Sequence, residues 1–368
     1  MDVRNHGIDE EPGRAGTRVT DTVEIVPPRP TRRATGTVTI DEVAALAGVS
    51  PSTVSRAVRN PDLVSVAAYE AVMRAVDETN YVPNRAASNL ASNRSGTVAA
   101  VMPAMSYSVF ADTVHGLEEV LSEAGIQLFL GTTGYDEDRE EQVIRAFLGR
   151  RPDGIVLVGA SHTPATRDLL RRSRVPVVET WDWSDDPIDS LVGFSNGDAF
   201  AAMAEYVVGA GYRHPTFAGW LTGSDSRARA RRDGFRDTIA RLLPDEPMRI
   251  LDTGERGISV EAGGWLLDVA LEQHPETDVL VCASDIFAAG AVLAAHSRGL
   301  RVPQDIAVTG FGDFEMSRYL PPPLTTILPP NDSIGRRAGE LILERIADPS
   351  VEPVSLDLGY TLVVRESA

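Results

Sequence analysis

A chain of 368 residues with 43% hydrophobic side chains can bury more than one core, and no run approaches the roughly 20 apolar residues needed to span a bilayer. The single cysteine, Cys282 in DVLVCAS, excludes an internal disulfide, and six scattered histidines with neither HExxH nor a Cys/His cluster argue against zinc. The net charge of −18 argues against a nucleic-acid binder, but residues 1–95 carry 11 Arg against 12 acidic residues, so the acidity belongs to the body.

Residues 1–36 are rich in Pro, Gly, Arg, Thr and acidic residues without apolar periodicity, the composition of a disordered tail. The tail lacks the apolar core of a signal peptide, which points to the cytoplasm. The run VTIDEVAALAGVSPSTVSRAVRN then spells two short helices joined by a glycine turn. Thr39 and Glu42 have capping-box spacing, Gly48 is the stop, Ser50 is a second cap and Pro51 fits the first helical position. Val43, Ala44, Ala47, Val49, Val54 and Ala57 supply small apolar faces for a close crossing. Ser52, Thr53, Ser55, Arg56 and Asn60 face elsewhere: hydroxyls that suit phosphate oxygens, and a forked cation that suits a guanine edge. A third helix, Val66 to Thr79, turns Tyr69, Val72, Met73 and Val76 inward, completing a helix-turn-helix head over 37–83. NRAASNLASN reads as a short connecting helix within 84–95, whose small residues suit pairing with a copy of itself.

From Thr97 onward apolar runs alternate with amphipathic helices: TVAAVMP, IQLFLGTT, GIVLVGA, VPVVETW, LVGFSN, PTFAGW, MRILDT, DVLVCAS and IAVTGF. Such runs predict parallel strands buried on both faces. Their number exceeds one sheet, so two tandem Rossmann-like subdomains are expected, with a ligand cleft at the carboxyl ends of the strands. Trp181, Trp183, Trp220 and Trp265 are either core or pocket aromatics.

The helix-turn-helix run, NYVPNRAASNLA, PPPLTTI and IGRRAGELILERI, in that order, resemble the LacI/GalR family of transcriptional regulators over residues 37–366. The resemblance implies a head, a hinge helix and a periplasmic-binding-protein-like sensor over 96–368. Its N-subdomain would span about 96–191 and 327–347, and its C-subdomain about 192–326 and 348–366, joined by three crossovers. It implies base contacts by Pro51, Ser52 and Arg56, phosphate contacts by Ser50, Thr53, Ser55 and Asn60, and a minor-groove wedge at Leu90. Thr39 and Asn84 complete the implied DNA-binding set. Two departures stand out: Pro51 cannot hydrogen-bond a base, and VSVAAYEA lacks the family's basic residue after the third helix's cap.

For the effector, the same resemblance points to Arg231 in RARARRDGF, Ser284 and Asp285 after DVLVCA, and Phe110 as an aromatic wall. Gly312 stands where relatives that bind neutral sugars place an acid, and losing that acid removes a repulsion of about 1 to 4 kcal/mol toward an anion at about 4 Å. VPVVETWD, VGFSN, GFGDFE and SHTP also resemble the gluconate-operon repressors of the family, so gluconate or a related sugar acid is the expected effector. His162 and Thr163 are candidates for its carboxylate, Asp182 and Asp313 for its hydroxyls. The implied protein is a homodimeric repressor, released by its ligand from a pseudo-palindromic operator, with no cofactor, no metal and no membrane partner. No heptad segment follows Ala368, which favours a dimer over a tetramer.

Two other classes fit parts of the sequence. Gly193-Phe194-Ser195-Asn196-Gly197 matches the nucleophile elbow G-x-S-x-G, with His274 or His296 to complete a triad. A sugar-binding protein with a decayed head is the other. Gly310-x-Gly312 alone is a turn rather than a dinucleotide site.

Overall fold

The computed structural model describes residues 38–82, 94–105, 110–221 and 225–368. The disordered tail expected over 1–36, the hinge helix expected within 84–95, and with it Asn84 and Leu90, lie outside the described residues. The rest falls into two units, a head and a body, each with its own core.

In the head, α1 (Ile40–Ala47), α2 (Pro51–Arg59) and α3 (Val66–Thr79) start where their caps dictate. The Glu42 amide donates to Thr39 Oγ1 at 3.3 Å while Glu42 Oε2 accepts from the Thr39 amide at 2.7 Å, closing the capping box. Gly48 ends α1 at φ 68°, a conformation glycine adopts at no steric cost. Ser50 caps α2 by accepting from the Thr53 amide, and Pro51 opens it. Val43, Ala44, Val54, Ala57, Val72, Ala75 and Tyr81 form the core, with Ala47, Val49 and Tyr69 packed against it. Ala75 and Tyr81 fill the interior beside Val72, while Met73 stays half-buried.

The body holds two six-stranded sheets. The first contains β1 (Thr97–Met102), β2 (Gln127–Thr132), β3 (Gly154–Val158), β4 (Val177–Thr180), β5 (Ser190–Gly193) and β11 (Ser355–Asp357), in the order β11-β5-β4-β3-β1-β2 and parallel throughout. The second contains β6 (Pro215–Gly219), β7 (Arg249–Asp252), β8 (Val279–Cys282), β9 (Ala307–Phe311), β10 (Thr325–Leu328) and β12 (Thr361–Val363), in the order β12-β10-β9-β8-β6-β7. Here the edge strand β12 runs antiparallel to β10, a departure from the all-parallel expectation. Burial on both faces holds for the inner strands but not for β2, an edge strand that leaves Phe129 and Leu130 each 42% exposed.

Helices flank both sheets: α4 (Ala111–Glu123), α5 (Glu137–Leu148), α6 (Pro164–Ser173) and α11 (Asn331–Ala347) with the first, and α7 (Asn196–Gly209), α8 (Ser226–Leu242), α9 (Val260–Gln273) and α10 (Asp285–Ser297) with the second. The α4–α11 pair meets at backbone distance, since a Cβ at Gly335 would run into the carbonyl oxygen of Thr113. The chain passes between the sheets three times, after β5, after β10 and between β11 and β12. The second crossing follows Leu328, close to the expected boundary, and β11 returns to the first sheet, whereas the expectation places residues 348–366 whole in the C-subdomain. The three residues of β11, SLD, offer neither an apolar run nor an alternation from which to read a strand.

Candidate functional site

Both sheets reverse their winding at one point, between β1 and β3 in the first and between β6 and β8 in the second. Open α/β sheets bind ligands beyond the carboxyl ends of strands at such points. A cleft in two adjoining compartments lies there, the two sharing Tyr135, Asp225 and Arg227. The first compartment is walled by Phe110, Tyr135, Trp181, Trp220, Phe311 and Phe314. Pro103, Thr133, Asp136, Glu140, Gly159 and Ser161 line the second.

The charges come from one end of α8. Asp225 caps that helix, and Arg227 and Arg231 follow one turn apart on the same face. Arg231 is buried, its guanidinium carbon 3.7 Å from the centre of the Phe311 ring. Its Nε donates to Asn196 Oδ1 at 2.8 Å and its Nη1 to the Ala283 carbonyl at 3.0 Å. Burial and then the neighbouring Arg227, against the pull of Asp225, bring the Arg231 guanidinium down to about 10. Arg227 donates from Nε to Asp225 Oδ1 at 2.9 Å and stands 5.6 Å from the Phe110 ring centre. Burial works against the Asp225 carboxylate, but Arg227 and Arg231 outweigh it and hold the group below the usual carboxylate range. Asn196 joins the sides of the cleft, since its Nδ2 donates to the Trp181 carbonyl while its Oδ1 holds Arg231.

Of the residues expected around the effector, Phe110, Arg231 and Ser284 line the aromatic compartment. Asp182 is close enough to feel Arg227 and Asp225, and burial raises its pKa. The other four are engaged in holding the fold. The His162 imidazole is fully buried between Glu140, 2.7 Å from Nδ1, and Glu179, 3.3 Å from Nε2. Burial pulls its pKa down, but hydrogen bonds and charge from the two glutamates carry it up to about 9. Thr163 caps α6 by accepting from the Thr166 amide. Asp285 accepts from Ser317 Oγ and Thr326 Oγ1, each at 2.6 Å, and from the Phe314 amide at 3.0 Å. Asp313 is paired with Arg365 and Arg318. The partners of His162 and Asp285 are distant in sequence, so the residues around each give no sign of them. The sequence does not point to Arg227, Asp225, Asn196 or Tyr135 as cleft residues, although the i, i+4 spacing of Arg227 and Arg231 is present in RARARRDGF.

Trp181 and Trp220 line the cleft, Trp265 packs against the second subdomain's core, and Trp183 is 38% exposed. At the nucleophile-elbow motif, Ser195 Oγ accepts from the Asp198 amide at 3.0 Å as the cap of α7. His274 is the C-cap of α9 and His296 lies in the last turn of α10.

On the head, α2 exposes Pro51, Ser52, Arg56 and Arg59, with Ser50 and Asn60 exposed at its ends and Thr53 and Ser55 half-buried. Ser50 Oγ lies 2.8 Å from Ser52 Oγ and 2.9 Å from Thr53 Oγ1, a chain of hydroxyls at the helix start, where backbone amides favour a phosphate. The hydroxyl of Thr39 is taken by its cap.

A three-helix head followed by a two-sheet body with a cleft at its switch points defines a ligand-responsive DNA-binding regulator built on a periplasmic-binding-protein body. Residues 39–84 match the family model of bacterial regulatory proteins of the lacI family, and residues 95–358 that of periplasmic binding proteins and the sugar binding domain of the LacI family. The chain belongs to the LacI family of transcriptional regulators. It is 33% identical over 325 residues to the HTH-type transcriptional regulator GntR of Escherichia coli K12, covering 88% of this chain and 96% of that one. Among solved structures, a LacI family regulator from Silicibacter pomeroyi superposes with a TM-score of 0.83 at 34% identity, covering 90% of this chain and 99% of the other. The lac repressor dimer bound to operator and the anti-inducer ONPF superposes at 0.75 with 25% identity, covering 90% and 99%.

Proposed function

We propose that this protein is a dimeric repressor that binds a pseudo-palindromic operator and lets go when a sugar acid of the gluconate type enters the cleft. The observation that carries the effector class is the pair of buried arginines, Arg227 and Arg231, against the single carboxylate, Asp225, among the described residues that line the aromatic compartment. Asp225 balances one of the two charges; a carboxylate ligand would balance the other in a low-dielectric site, whereas a neutral sugar would leave it uncompensated. The aromatic faces suit the apolar side of a polyol chain. Similarity to GntR supports the same class.

Ser52 and Arg56 on α2 would read base edges while Ser50, Thr53, Ser55 and Asn60 position the head on phosphates. With Arg56, Arg59 and Arg74 as its only cations against six acidic residues over 38–82, a single head would bind weakly, which favours two heads acting together. Exposed Val260 and Leu293 on α9 and α10, and Phe129 and Leu130 on β2, supply apolar surface for a second copy.

The test is fluorescence anisotropy of the full-length protein on DNA from its own upstream region, with and without D-gluconate. Salt-sensitive binding that gluconate weakens supports the proposal. Absence of binding at low salt under both conditions overturns the operator reading, and release by neutral sugars in preference to acids overturns the effector class.

A further inference from the structure

Charged nitrogens that are fully buried without a partner are rare in folded proteins, because each forfeits its hydration. The cleft contains one. Arg227 is only 4% exposed, and its Nη1 has no hydrogen-bond partner among the described residues. Its Nε is held by Asp225, and its guanidinium lies 5.6 Å from the Phe110 ring centre and 5.9 Å from that of Tyr135, so the group is fixed in orientation. Arg227 also lines both compartments, which places it where they meet. Arg231 is different: two of its nitrogens are bound to Asn196 and Ala283 and its face is stacked on Phe311.

We infer that Arg227, rather than Arg231, is the residue that distinguishes an acid from a neutral sugar, by donating from Nη1 to the ligand carboxylate. The inference rests on the sugar-acid reading above. Arg231 then serves as a fixed wall that positions the ligand. Asp225 limits the site: it orients the Arg227 fork but competes with the ligand for its charge, so a bound anion shares the guanidinium with it.

The experiment compares D-gluconate with D-gluconamide, its neutral isostere, by calorimetry on the full-length protein and on Arg227→Gln, Arg227→Lys and Asp225→Asn. The unmodified protein is expected to prefer gluconate. Arg227→Gln should weaken gluconate about 10- to 100-fold, the worth of a charge-assisted hydrogen bond, and shift gluconamide by less than about threefold. Arg227→Lys keeps the charge and should recover part of the loss. Asp225→Asn, which preserves a cap for α8, should tighten gluconate. If the unmodified protein prefers gluconate and Arg227→Gln keeps that preference, the role of Arg227 is refuted and the sugar-acid reading stands; if Asp225→Asn weakens gluconate, Asp225 orients the fork more than it competes, and the competition is refuted. If the unmodified protein shows no preference for gluconate, that reading falls and the inference with it.

Discussion

Arg231 lies against Phe311 with its guanidinium carbon 3.7 Å from the ring centre, and the two hydrogen bonds to Asn196 and Ala283 hold it there. A planar fork is needed for this arrangement, because a lysine ammonium cannot stack on the ring and reach both acceptors together. Arg231→Lys should therefore weaken gluconate by about tenfold or more while leaving operator affinity in the absence of ligand unchanged. Anisotropy titrations would then show a repressor that gluconate no longer releases.

Gly312 has φ 128°, and a Cβ there would meet the Phe314 ring at 2.5 Å. A carboxylate at this position is thus opposed by strain as well as by chemistry. Gly312→Asp should cost about 1 to 3 kcal/mol of stability and abolish gluconate binding. Pairing it with Phe314→Ala makes room for the side chain, and calorimetry should then show a preference for gluconamide over gluconate.

His162 titrates at about 9 in the folded protein against 6.5 for a free imidazole, so folding is favoured by its protonated form. That contribution is complete below pH 6.5 and is lost as the pH rises toward 9. His162→Gln should melt lower than the unmodified protein at pH 6, with the gap closing by pH 9.5, in a series of thermal melts. A gap independent of pH would mean that packing, not charge, is what the imidazole supplies.

Asp285 ties the start of α10 to Ser317, Thr326 and Phe314, and burial, opposed by those hydrogen bonds, raises its carboxyl to about 6. Asp285→Ala would leave a buried amide and two hydroxyls unpaired and should cost about 2 to 5 kcal/mol in urea unfolding. Asp285→Asn keeps an acceptor for the Phe314 amide and should cost less. A marginal loss of stability together with loss of gluconate binding would instead make Asp285 a ligand group.

On the head, the Arg56 side chain is exposed and its removal should leave folding intact. Arg56→Ala should weaken operator binding by about 5- to 100-fold and relax specificity at a single base pair, read by anisotropy on an operator mutated one position at a time. Ser50→Ala removes the cap of α2 and should instead lower the head's stability by about 1 kcal/mol.

Local chemistry explains what the sequence disclosed. The three head helices could be placed from Thr39, Gly48, Ser50 and Asn80, because caps and left-handed stops act within one turn. Strands β1–β9 are legible as apolar runs, whereas β10, β11 and β12, with the sequences TTIL, SLD and TLV, contain no such run and take their place from pairing. The cleft was half legible. Arg231 and Phe110 could be placed by family position, but the commitments of His162 to Glu140 and Glu179, and of Asp285 to Thr326, are made across the fold. Arg227 shares a helix face with Arg231 in RARARRDGF, but that spacing alone gives it no role. What gives it significance is an unpaired nitrogen, and that exists only once the chain is folded.

The threefold passage of the chain between its two sheets also bears on inheritance. Each lobe is assembled from separated stretches, with β11 and α11 contributed to the first by sequence that follows the whole of the second sheet up to β10. No single crossover between genes can exchange one lobe for another. What such a regulator senses can pass between genes only with the body whole, or change side chain by side chain inside it.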